Sequence, residues 1–146
     1  MKKFLCFGLI LLLAILFSPT VIFAEEDDTT TINISADSMD YILATQNDIS
    51  VSNTTIYSSS ATSSIISADT IGLRLYLQAK NLSTGVWNNT GLSREFLDYN
   101  TSSIYKSTLF SVTRGYQYRL KIVHFVEEGS TYNSKTTYSS IVDLRY

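Results

Sequence analysis

The chain carries one histidine, His124, and one cysteine, Cys6. A catalytic zinc usually takes three protein ligands and a structural zinc four, drawn mainly from His, Cys and carboxylates. One imidazole therefore leaves the common zinc sites out of reach. A Ser–His–Asp triad is arithmetically available through Asp143 and the many serines, but no serine stands in a nucleophile-elbow motif. His124 shares the parity of Leu120 and Ile122 and reads as a structural or solvent-edge histidine. Glycosidase chemistry needs two carboxyl groups facing each other across a sugar. The candidates are Glu95 with Asp98 and Glu127 with Glu128; the first pair falls in a polar link and the second flanks Gly129, so both read as solvated loop charges. The six glycines are scattered, so no phosphate-cradling loop is formed. Calcium stays open in principle, because loop oxygens can surround it without a local motif. The inventory predicts no catalytic residues, no cofactor and no defined metal site.

The aromatic residues carry more information. Ten tyrosines and the single tryptophan, Trp87, outnumber the phenylalanines that remain beyond the first 24 residues: Phe96, Phe110 and Phe125. Tyrosine suits both sheet faces and binding surfaces, having an apolar body and a polar tip. Tyr76 lies on the polar parity of its segment, and Trp87 follows after a short turn. Exposed together, the two rings would suit a sugar or a protein partner. Placed across from each other in a hairpin, they would support a small sheet.

These residues need strands to position them. Ile71-Gly72-Leu73-Arg74-Leu75-Tyr76-Leu77-Gln78-Ala79-Lys80 alternates apolar and polar residues, which places one face on a core and one in water. Asn81 to Gly85 is a turn and Val86-Trp87 opens the partner strand, making a hairpin. Further strands are predicted over Ile49–Val51, Thr54–Thr62, Ile104–Val112, Tyr116–Glu127 and Thr136–Tyr146, with turns at Arg114-Gly115 and around Gly129. Asn88 to Ser103 reads as a long polar link. The pattern predicts an all-β chain, an antiparallel sandwich over residues 49–146. Residues 25–48 read as an acidic, flexible segment that contributes at most one extra strand. Sheet edges left open by such a fold invite self-association.

Residues 1–24 have the layout of a secretory signal: Lys2 and Lys3, an apolar run from Phe4 to Phe17, then Ser18-Pro19 and a small residue at Ala24. The apolar run is shorter than the roughly 20 residues needed to cross a bilayer, so membrane contact is expected only through the uncleaved signal. Removal of this segment takes away Cys6 and leaves nine basic residues against 13 acidic ones. Such a chain has no disulfide, and its acidic surface excludes a nucleic-acid binder. The expected location is extracellular.

Val112-Thr113-Arg114-Gly115-Tyr116-Gln117-Tyr118 resembles the corner between the fifth and sixth strands of fibronectin type III domains, where a Tyr follows three positions after the turn glycine. The resemblance implies that Tyr118 is the tyrosine corner, its hydroxyl tied to upstream backbone, and that Gly115 makes the turn. Arg114 stands in place of the family's turn proline, and the core Trp of its second strand is absent. The hairpin with Trp87 resembles that of the same family. The layout from 48 to 146 is similar to small secreted proteins of Gram-positive bacteria that carry a domain of unknown function. The resemblance implies a fold and export. The expected function is a secreted, non-enzymatic module whose partner is an unknown protein or a glycan, with a carbohydrate-binding module as the alternative.

Overall fold

The computed structural model describes residues 40–146. The signal at 1–24 and the acidic run at 25–28 lie outside the described residues. Those described form six strands and no helix: β1 (Ile42–Ser52), β2 (Thr55–Lys80), β3 (Trp87–Ser111), β4 (Gln117–Glu128), β5 (Thr131–Tyr138) and β6 (Val142–Asp143). All pairings are antiparallel and belong to one sheet, which curls.

The curl comes from β2, a strand of 26 residues. Its first part turns Ile56, Ser58, Ser60, Thr62 and Ser64 inward, and its second part turns Ile71, Leu73, Leu75 and Leu77 inward. A strand of period two cannot change from even to odd inward positions without an irregularity. The irregularity lies between Ser63, which faces Ser103, and Ala68, which faces Thr101. The surplus residues on β2 bend the sheet there, and Asn100 on β3 takes a φ of 52° at the same bend.

Two limbs result. In the first, β2 pairs with β1 through Ser52↔Thr55 to Ile42↔Ser64, and with the end of β3 through Thr55↔Ser111 to Ser63↔Ser103. In the second, β2 pairs with β4 through Thr70↔Glu127 to Ala79↔Tyr118, and with the start of β3 through Thr70↔Tyr99 to Lys80↔Trp87. There β4 carries β5 on its far side, and β6 pairs with Gln117 and Tyr118. The core joins Ile56, Ile104 and Phe110 of the first limb to Leu73, Leu75, Leu77, Leu120, Ile122 and Val126 of the second, with Val142 and Leu144 at the C-terminal end.

Several elements depart from the sequence reading. The first described strand, β1, begins at Ile42 rather than at residue 49, because the polar residues from Thr45 to Asp48 pair with Ser59–Thr62 of β2. The segments 54–62 and 71–80 are one bent strand. The expected polar link at 88–103 is the first half of β3. Its backbone groups are satisfied by β2, so its side chains need no apolar pattern. The expected last strand is divided into β5 and the two-residue β6, with Tyr138 facing out while Val142 and Leu144 face in.

Candidate functional site

The turn between β3 and β4 places the first pair of expected residues. Gly115 has a φ of +99°, a left-handed conformation that side chains rarely adopt, and its N–H donates to the Leu144 carbonyl at 2.8 Å. The Leu144 N–H returns to the Tyr116 carbonyl at 3.0 Å. Tyr118 is 3% exposed, and its hydroxyl donates to the Thr113 carbonyl at 2.8 Å. A buried phenol thus finds its partner in the backbone of the turn that precedes it.

His124 lies on the inner face of β4 and is fully buried. Its Nδ1 is 2.8 Å from Thr62 Oγ1 on the first limb, and its Nε2 is 2.8 Å from Thr137 Oγ1 on β5. Asn47 on β1 donates from Nδ2 to that same Thr137 hydroxyl. The chain Thr62–His124–Thr137–Asn47 stitches the limbs together. Beside it, Asn47 Oδ1, Ser58 Oγ and Ser60 Oγ have no hydrogen-bond partner among the described residues. Burial pushes the imidazole down to about 4, and the nearby Lys135 ammonium adds to this. A neutral, doubly hydrogen-bonded imidazole suits a structural role.

The two candidate carboxylate pairs, read from the sequence as solvated charges, do not converge. Glu95 and Asp98 point to opposite faces of β3: Glu95 accepts from Arg74 Nε at 2.6 Å on the outer face, and Asp98 accepts from Lys106 Nζ at 2.8 Å on the inner one. Glu127 and Glu128 are adjacent on a strand and so face apart, with Glu128 accepting from the Asp69 N–H at 2.9 Å. Among the described residues no three His, Cys, Asp or Glu side chains come together in a metal-binding group.

The outer face of the second limb holds the expected aromatic pair and more. Tyr76 and Trp87 both lie on it and are half-buried. They stand apart, because Trp87 is opposite Lys80, Tyr76 is opposite Ser93, and the Gln78–Asn89 rung lies between. The Arg119 guanidinium sits 4.6 Å from the Trp87 ring centroid and 4.2 Å from that of Tyr138, and Lys80 Nζ lies 5.8 Å from Trp87. Arg119 Nε donates to Gln78 Oε1 at 2.9 Å, and Gln78 Nε2 donates to Asn89 Oδ1 at 3.0 Å. Lys121 stands directly between Tyr76 on β2 and Tyr138 on β5.

Further along the same face Phe125 is buried beneath Arg74, 4.4 Å from its ring, and Tyr132, stacked at 5.7 Å. The far end of the ring sits over Gly72, where a Cβ would come within 2.2 Å of Phe125 Cζ. Sequence reasoning overlooked this lattice, although it held signals: a glycine inside the best strand pattern marks a close approach, and Phe125 broke the alternation of β4. The depressions on this side are open and shallow, one bounded by Arg74, Tyr76, Ser93, Arg94 and Glu95 and one around the β2–β3 turn.

No family model matches the chain, and no curated protein matches it. Among solved structures it is similar to the solution structure of R. palustris CsgH, with 10% identity over 70% of this chain and 94% of that one and a TM-score of 0.34.

Proposed function

We propose that the protein is an exported, non-enzymatic binding module with a fibronectin type III-like sandwich, presenting the outer face of its second limb to a partner. The observation that carries this reading is the aromatic–arginine lattice of that face. Arg74 and Arg119 are held against rings, and the depression beside Arg74 and Tyr76 is open. Aromatic and arginine side chains fixed in place lose little freedom on contact, which favours binding. An open sheet suits an extended partner better than a small substrate enclosed away from water.

Three strands in one limb and five in the other, counting the two-residue β6, are compatible with a two-layer sandwich in which β2 and β3 cross between layers at a bulge. The bond from the Tyr118 hydroxyl to the Thr113 carbonyl supports the tyrosine-corner reading. Export rests on the signal layout of residues 1–24.

The test is retention of the labelled, exported chain on whole cells of the source organism. Retention that is lost in Tyr76→Ala and in Lys121→Glu, with unchanged urea midpoints, is the expected result. Absent retention, or retention indifferent to both substitutions, would overturn the reading.

A further inference from the structure

We propose that the outer face of the second limb binds a carboxylate-bearing polysaccharide along Lys80, Arg119 and Lys121. This rests on the binding-module reading above and names its partner class.

The first observation is charge. The chain carries a net −2, yet on this face three cations gather without an ion-pair partner among the described residues. Two carboxylates on the same side of the sheet are already engaged: Glu95 by Arg74, and Asp143 by Arg145 and the Gln117 amide. A local excess of positive charge on an acidic protein attracts a polyanion and sets its position.

The second is spacing. Arg119 and Lys121 are two residues apart on β4, about 7 Å along the strand, and Lys80 lies one strand over, beside Trp87. A row of cations spread over two strands of an open sheet fits a polymer that bears charge along its length. A single small anion would need convergent donors.

The third is the state of Arg119. Its guanidinium is held between Trp87 and Tyr138, and Gln78 occupies Nε, while the Nη atoms have no hydrogen-bond partner among the described residues. The planar fork pairs with a carboxylate through two parallel bonds. The Gln78–Asn89 amide pair beside it, and Tyr76 and Tyr138 on either side of Lys121, supply groups able to meet sugar hydroxyls. The same arrangement disfavours the alternatives. Neutral sugars and nucleic-acid bases stack on open aromatic faces, whereas the Trp87 ring is covered by cations.

Trp87 is the only tryptophan, so its fluorescence reads the site directly. The exported chain is titrated with polygalacturonate, and with dextran and oligothymidylate for comparison. The expected result is a saturable emission change with polygalacturonate in low salt, abolished near 0.5 M salt where the screening length is only a few ångström, and no change with dextran. K80Q/K121Q weakens binding about fivefold or more at an unchanged urea midpoint, and K135Q, on β5 away from this face, leaves it unaltered.

An equal response to dextran overturns the proposal. So does equal or tighter binding of oligothymidylate, indifference to K80Q/K121Q, or no response to polygalacturonate. If polygalacturonate fails while cell retention still depends on Tyr76 and Lys121, the polymer class falls and the binding-module reading stands.

Discussion

One strand builds two different interiors. Where β2 runs through the first limb it turns Ser58, Ser60, Thr62 and Ser64 inward behind Ile56; in the second limb it turns Ile71, Leu73, Leu75 and Leu77 inward. Each buried Ile or Leu contributes about 1.5–3 kcal/mol of transfer free energy. A buried hydroxyl contributes only when it is hydrogen-bonded, and Ser58 and Ser60 have no partner among the described residues. The second limb therefore carries the cohesion, with Leu120, Ile122 and Val126 of β4 facing the β2 row. The first limb is held by its continuity with β2 and β3, by Ile104 and Phe110, and by the directional bonds of His124. Its polar interior makes it the more easily opened half.

The largest test of this contrast is truncation in the apolar row. Leu73→Ala or Leu75→Ala should lower stability by about 2–5 kcal/mol in urea melts. A cost below about 1 kcal/mol would mean that the two interiors are energetically alike.

The seam between the limbs should respond to acid. His124 is held near 4 in the folded chain and returns to 6.5 when unfolded. A folded-state value below the unfolded one gives stability that is whole above about pH 6.5, falls as the pH drops toward 4, and changes little through this group below that. The full loss is on the order of 3 kcal/mol. His124→Gln should flatten urea midpoints across that window; an unchanged slope would locate the acid sensitivity elsewhere.

On the outer face, Gly72→Ala drives a methyl into the Phe125 ring. It should cost about 1–3 kcal/mol and disturb Arg74 and Tyr132. A neutral result would show that the lattice slides freely over β2. Tyr118→Phe removes the bond to the Thr113 carbonyl and should cost about 1 kcal/mol, with less effect from Tyr116→Phe, since Tyr116 is exposed.

The smallest change is expected in the polar row. Ser60→Ala deletes a hydroxyl without a partner among the described residues and should be neutral or stabilising by up to about 1 kcal/mol. A marked loss would reveal a bridging water that holds the seam.

How far these features were legible follows from what each residue does. The row from Ile71 to Ala79 was readable because its two faces meet different solvents. Thr54–Thr62 was readable as a strand, but its facing was not: Tyr57 is 48% exposed while Ser58 is buried, so hydropathy pointed the wrong way. The first half of β3 was hidden because an edge strand backed by β2 can expose Asn, Ser and Thr freely. Tyr118 was found through a resemblance, and its bond is local. Arg119 left no such mark, since its setting depends on Trp87 and Tyr138, which meet it only once β3, β4 and β5 have been placed.

The length of β2 also bears on how the chain comes together. β1 and β4 pair along the same edge of β2, at opposite ends, while β3 runs the length of the other edge. The β2–β3 hairpin is closed by a local turn in which Gly85 donates to the Asn81 carbonyl at 2.7 Å and Asn81 donates to the Val86 carbonyl at 2.8 Å. Loop-closure entropy favours this hairpin and the β1–β2 hairpin, whose tight turn brings Ser52 to Thr55, because contacts near in sequence form before distant ones. β4, which meets β2 from much further along the chain, docks on its apolar end last. Pulsed hydrogen exchange during refolding should show amides near Asn47 and Asn89 protected before those near Ile122. Early protection at Ile122 would reverse the order.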